Sequence, residues 1–112
     1  MTLETVITEK LAAVCDVYPS VAPKGSPYPF IVYHIAFTDA VNCASGATGL
    51  RAHHCQIDVY STNHAELRTL VQSVRDAFAG YMIEQEADMP ASSERVRVLF
   101  RTRLQIAVPL QE

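Results

Sequence analysis

Ala52-His53-His54-Cys55-Gln56-Ile57-Asp58-Val59-Tyr60-Ser61 alternates, and the residues after it do not. Cys55, Ile57 and Val59 point one way and His54, Gln56, Asp58 and Tyr60 the other, as side chains on a half-buried strand do. After Ser61 the spacing changes to steps of three and four. Thr62 or Asn63 can cap a helix, with Glu66 well placed in its first turn. Leu67, Leu70, Val71, Val74, Ala77 and Phe78 make one apolar stripe over 64–79, with Arg68, Gln72, Arg75 and Asp76 outside it or at its boundary. Gly80 is a natural stop. The stretch therefore reads as strand, cap, helix, and the rest of the chain is placed around it.

Upstream, Phe30-Ile-Val-Tyr-His-Ile-Ala-Phe37 is β-branched and aromatic, which predicts a strand. Both of its faces are largely apolar, so its expected place is central. His34 then reads as a core histidine with a satisfied ring nitrogen. Between the two strands, residues 38–51 are dominated by small residues and two glycines. They predict a long, mobile hairpin loop, and long loops in compact domains are usually functional or disordered. Residues 18–29 hold four of the six prolines, which makes them an extended strap rather than a central strand. Tyr18 and Tyr28 can pack against the body from it. Residues 3–15 predict a helix: Leu3, Ile7, Leu11 and Val14 share a face, Thr2 caps it, and Glu4 suits its positive end.

Downstream, a short strand is expected near Tyr81–Glu86 and a polar connection through Met89–Ser93. A long strand over Glu94–Val108 follows, with a bend or bulge because of its length. Val96, Val98, Phe100, Thr102, Leu104, Ile106 and Val108 form its core face. Arg95, Arg97, Arg101 and Arg103 form a basic stripe on the other. The order helix, strand, strand, helix, strand, strand predicts an α+β fold: a mostly antiparallel sheet of about four strands with two helices packed on one face. Residues 1–112 make one domain on this reading. No repeat or low-complexity tract interrupts it.

Composition narrows the function classes. The chain has 112 residues, 49% of them hydrophobic and 19% charged, with a net charge of −3. That balance argues against disorder and against a generally basic nucleic-acid binder. The N-terminus carries Glu4, Glu9 and Lys10 among its apolar residues, unlike a signal peptide. The longest nearly uncharged apolar run, Phe30–Phe37, is too short to span a bilayer. Cys15, Cys43 and Cys55 are an odd set at irregular spacing and read as reduced thiols.

Little in the sequence points to catalysis or metal binding. His53 and Cys55 share a strand face, and Cys43 lies across the hairpin, yet the spacing of a structural zinc site is missing. A Cys/His nucleophilic pair would have to meet in space. There is no nucleophile elbow, phosphate loop or dinucleotide motif. No catalytic, metal-binding or cofactor-binding residue is assigned. The arginine stripe has two readings: a solvated sheet face paired with Asp58, Glu84 and Glu86, or a surface for an acidic partner. Interleaved aromatic residues, which single-stranded nucleic acid would call for, are missing.

Two groups of residues, in order and at their spacing, resemble a known family. Tyr18-Pro19, Ala22-Pro23-Lys24-Gly25 and Pro27-Tyr28-Pro29-Phe30-Ile31-Val32-Tyr33 look like the opening signature of the tail completion proteins of long-tailed bacteriophages and prophages. Gln56-Ile57-Asp58-Val59-Tyr60-Ser61, then Glu66 and the helix through Leu70, Val74 and Ala77, resemble its second part. The resemblance covers about residues 3 to 80; the last third matches only as an arginine-bearing final strand. It implies a fold similar to tail terminators, and a hexameric ring that caps the tail tube and meets the head connector. It implies partners in the chain itself, the tail tube protein and the head–tail connector protein, and a place in the virion after assembly in the bacterial cytoplasm. It implies no enzyme activity, no cofactor, no membrane and no specific nucleic acid. It also implies that the 38–51 hairpin is ordered by ring neighbours. Asp39, Asn42, Ser45, Thr48 and Arg51, with Arg95, Arg97, Arg101 and Arg103, are the candidate interface residues. The arginines, with Asp39, Glu84, Glu86 and Asp88, are candidate complementary patches of a head-to-tail contact. The alternative is a small cytosolic binding module that uses the arginine-rich strand face for an acidic ligand.

Overall fold

The computed structural model describes residues 3–43, 46–90, 92–94 and 97–110. Helix α1 spans Leu3–Ala12 and buries Leu3, Val6, Ile7 and Leu11. It is shorter than the 3–15 pattern, because Val14 and Cys15 both donate their backbone N–H to the carbonyl of Leu11 in a closing turn. The chain then forms a strand that sequence spacing does not announce, β1 over Asp16–Pro19, paired in parallel with the start of β2. Pro19 lacks the donor to continue a ladder. Ser20 donates to the carbonyl of Tyr33 and turns away at φ 62. The proline-rich strap follows, with Tyr18 and Tyr28 both against the Phe30 ring at 5.9 and 5.0 Å between centroids.

Strand β2 runs Phe30–Cys43 and β3 Gly46–Ser61. Helix α2, His64–Ala77, begins at Asn63, whose side chain accepts the N–H of Glu66. Ser61 donates its hydroxyl to the Glu66 carboxylate at 2.8 Å, so the strand end and the helix start are tied together. Gly80, at φ 93, turns the chain into β4, Met82–Asp88. Strands β5, Ser92–Glu94, and β6, Arg97–Leu110, complete the chain. The sheet order is β1-β2-β3-β6-β4, with β5 paired to β6. Every pair is antiparallel except β1 with β2.

The α+β class and its mostly antiparallel sheet are as expected; the strand count is higher. β1 hides inside the strap. The expected strand Glu94–Val108 is a short β-hairpin, with Glu94 opposite Arg97, that leads into β6. Val96 and Arg95 lie outside the described residues.

Both helices cover one face. Cys55, Ile57, Val59, Leu104, Ile106 and Val108 join Ile7, Leu11, Leu67, Val71, Val74 and Phe78 in one buried core. Burying each large apolar side chain contributes roughly 1.5–3 kcal/mol, which is what holds α2 on the sheet. The other face carries no helix among the described residues. Among the described residues no helix is long and apolar enough to cross a membrane.

Candidate assembly surface

The hairpin between β2 and β3 departs most from expectation. It is no loop: backbone pairing continues through Asp39 with Ala52, Ala40 with Arg51, Asn42 with Ala47 and Cys43 with Gly46. The register shifts between Ile35 and Phe37 and again between Ala40 and Asn42. Small residues conceal such a ribbon from a hydrophobic pattern, because backbone ladders need no particular side chain. The molecule is elongated, 57 by 22 by 21 Å. The ribbon is an arm. Asp39, Asn42, Thr48 and Arg51 lie on it; Ser45 lies outside the described residues.

Arg97, Arg101 and Arg103 sit at the opposite end. Arg101 is opposite Tyr60 and Arg103 opposite Asp58, while Arg51 lies at the other end of β3. At about 3.3 Å per residue, Arg51 and Tyr60 are roughly 30 Å apart. The candidate residues therefore fall into two separate surfaces, not one.

Within the basic surface the arginines differ. Arg103 grips Asp58 through Nε at 2.8 Å and an Nη at 3.2 Å. Asp58 is 6% exposed. The hydrogen bond to this carboxylate raises the Arg103 pKa above its ordinary value, against the opposing effect of burial. Arg103 is thus committed within its own sheet. Arg101 is not so committed: it donates to the Tyr60 hydroxyl at 3.3 Å, stands 5.7 Å from that ring, and has no carboxylate partner among the described residues. It lines clefts on both sides, one of about 430 Å³ with Val21, Val32, His34 and Asp58, and one of about 290 Å³ with Met89, Pro90 and Leu99. Arg97 opens β6.

The acidic candidates of β4, Glu84, Glu86 and Asp88, are spoken for. Glu86 and Asp88 project to the helix side, where Arg75 and Arg68 of α2 meet them at 2.8 and 2.6 Å. Thr102 also donates to Asp88. Glu84 bonds His54 Nδ1 at 2.5 Å. Of the cross-strand pairs expected for the arginines, Asp58 with Arg103 is the one that forms among the described residues. β4 shifts register between Ile83 and Gln85, which turns Glu86 and Asp88 to the helix side, while Glu84, at the shift, meets His54 on the open face.

The polar groups of the central strands are structural. His34, expected in the core, is partly exposed beside the larger cleft. His53 lies on the covered face, 8% exposed, its Nδ1 at 3.1 Å from Thr38 Oγ1. Its Nε2 is buried without a hydrogen-bond partner. Cys55 beside it is fully buried, and burial, with the Glu4 charge second, pushes its thiol up to about 11. Cys15 is raised to about 11 chiefly by burial and then by Asp16 and Glu66. Such thiols are poor nucleophiles at neutral pH. Among the described residues no group of His, Cys, Asp and Glu is placed to hold a metal ion. The side chain of Cys43 lies outside the described residues.

A helix-backed sheet with a projecting ribbon and a separate arginine-bearing end offers surfaces for contact. The family match agrees: the chain belongs to the family of tail completion protein gp17, whose pattern spans residues 5–105. It is a structural protein of phage tail completion. Its fold is similar to that of a chain in the virion of a native gene transfer agent particle, with a TM-score of 0.52 and 17% identity over 95% of each chain. At that identity the likeness concerns the fold alone. A crystal structure from Akkermansia muciniphila aligns with a TM-score of 0.40 and 8% identity over 92% of this chain and 46% of that one, too distant to inform the reading. No curated protein matches the chain significantly.

Proposed function

We propose that the chain caps the tail tube and joins the tail to the head connector, as one subunit of a hexameric ring at the tail–head interface of the virion. The family match over residues 5–105 carries this reading. The two separated surfaces fit a head-to-tail ring, in which one patch of a subunit meets a different patch of the next. Residues 1–112 act as one domain. The arm, with Asp39, Asn42, Ser45, Thr48 and Arg51, contacts neighbours in the ring. The other end, with Arg95, Arg97, Arg101 and Arg103, contacts the tube or the connector. The work is done by shape and contact rather than by catalysis or a cofactor.

Electron microscopy of phage particles with this gene deleted tests the reading. Overlong or ragged tubes separated from filled heads are expected. Normal joined virions would overturn it. The second reading, a binding module for an acidic ligand, draws on Arg101, a cation without a carboxylate partner among the described residues. A salt-sensitive affinity for acidic peptide without self-association would favour it.

A further inference from the structure

Strand edges are the unfinished part of this molecule. β1 covers β2 only as far as Tyr33, and β6 covers β3 only as far as Arg51. Among the described residues, 34–43 therefore pair on one side at most, and so do 46–50, where Gly46 and Ala47 are the positions registered with β2. An isolated two-stranded ribbon is marginal in water, and each open edge displays unpaired backbone donors and acceptors.

Proteins usually blunt such edges with proline, charge, bulges or brevity. The other edges here are blunted. β1 is four residues long and ends in Pro19. β4 carries Glu84, Glu86 and Asp88 and a register shift. The arm is not guarded in this way: 34–43 holds one charged residue, Asp39, and no proline, and 46–50 holds neither charge nor proline. Its bulges add twist rather than charge. Where β2 loses its outer neighbour, large apolar residues stand in the open. Ile35 is 38% exposed opposite fully buried Cys55, and Phe37 is 48% exposed, stacked on His54 at 4.1 Å.

We infer that the open edge of β2 is the acceptor for the open edge of β3 from a second copy of this chain, so that successive arms hydrogen-bond into one continuous antiparallel sheet. The two unguarded edges lie on opposite sides of the same ribbon. When identical ribbons stand side by side and point the same way, β3 of one runs antiparallel to β2 of the next. In a closed ring every open edge then finds a partner, as in a barrel. The stagger that strands adopt on closure brings the neighbour alongside Ile35 and Phe37 and covers them. The inference rests on the ring reading and specifies its subunit contact as backbone pairing.

Amide hydrogen exchange on the full chain, free and assembled on purified tail tubes, tests it. Amides within both 34–43 and 46–50 are expected to slow by at least about tenfold on assembly. A ring whose arm amides exchange as in the free subunit would overturn strand pairing and leave the ring standing. Protection of 34–43 alone would overturn the head-to-tail arrangement in favour of symmetric pairing. Failure to form a ring on tubes would overturn the ring reading as well. A variant pair adds a second test. Phe37→Lys, a charge on the unguarded edge, is expected to prevent assembly while the free subunit keeps its circular dichroism spectrum. Gln85→Lys on the guarded β4 edge is expected to assemble normally. Normal assembly of Phe37→Lys would overturn the inference.

Discussion

The two halves of β3 obey different rules. From Cys55 to Ser61 it alternates cleanly, and its inward residues Cys55, Ile57 and Val59 are fully buried under α1 and α2. From Gly46 to Arg51 it is made largely of small residues, and β2 pairs with it irregularly. One strand is thus held by a core at one end and by backbone hydrogen bonds at the other. Apolar burial is cooperative and rigidifying; a bare ladder is neither. The body holds a core of its own, and the arm, on the proposed reading, is completed by a neighbouring copy.

Changes in the body should test that contrast most strongly. Phe78 is fully buried among core residues of both helices and the sheet, and Phe78→Ala is expected to lower unfolding free energy by about 3–5 kcal/mol in urea titration. A loss below about 1 kcal/mol would mean that the helix layer does not hold the sheet. Asp58→Ala strands the Arg103 guanidinium beside the open face, where its side chain is 36% exposed. Solvent can reach that cation, so the expected loss is only about 1–2 kcal/mol. Asn63→Ala removes the acceptor that holds the Glu66 N–H at 3.0 Å, with an expected loss of about 1 kcal/mol. The arm should answer in the opposite way. Asn42→Ala and Thr48→Ala are expected to move the free subunit's stability by less than about 0.5 kcal/mol.

The buried thiols sharpen the contrast through pH. Cys55 and Cys15 hold their protons up to about 11 in the folded chain, against an ordinary value of 9.0. The folded state therefore binds the protons more tightly than the unfolded one. That stabilisation is complete below pH 9.0 and is lost as pH rises toward about 11. The melting temperature is expected to fall across that window, and to fall less in Cys55→Ala measured against its own neutral-pH value. A flat alkaline profile would show that the thiols are not buried in solution.

Legibility in the sequence followed the same division. The helix from His64 and the strand through Ile57 could be read because burial imposes a period on the residues that face a core. The Asn63 cap could be read because its chemistry is local. β1 could not: a parallel edge pairing of four residues leaves little periodicity, and the adjoining prolines point to a strap. The arm could be located but not described, since its small residues match a loop and a ladder equally well. The arginine stripe and its partner Asp58 could be read, but the turning away of Glu86 could not, because a register shift in β4 decides which face that carboxylate takes. The candidate assembly residues stand in one list on the sequence, and the distance between the arm and the arginine-bearing end is evident only in three dimensions.

A shortened arm tests the account most directly. Residues 40–50 are replaced by an Asn-Gly turn, and the variant is measured for stability and for its ability to complement a phage that lacks the gene. The account predicts an unfolding free energy within about 1 kcal/mol of the parent, since a shorter hairpin costs the fold little. It also predicts no recovery of joined virions. Full recovery of joined virions by the armless protein, or collapse of the body once the arm is removed, would contradict it.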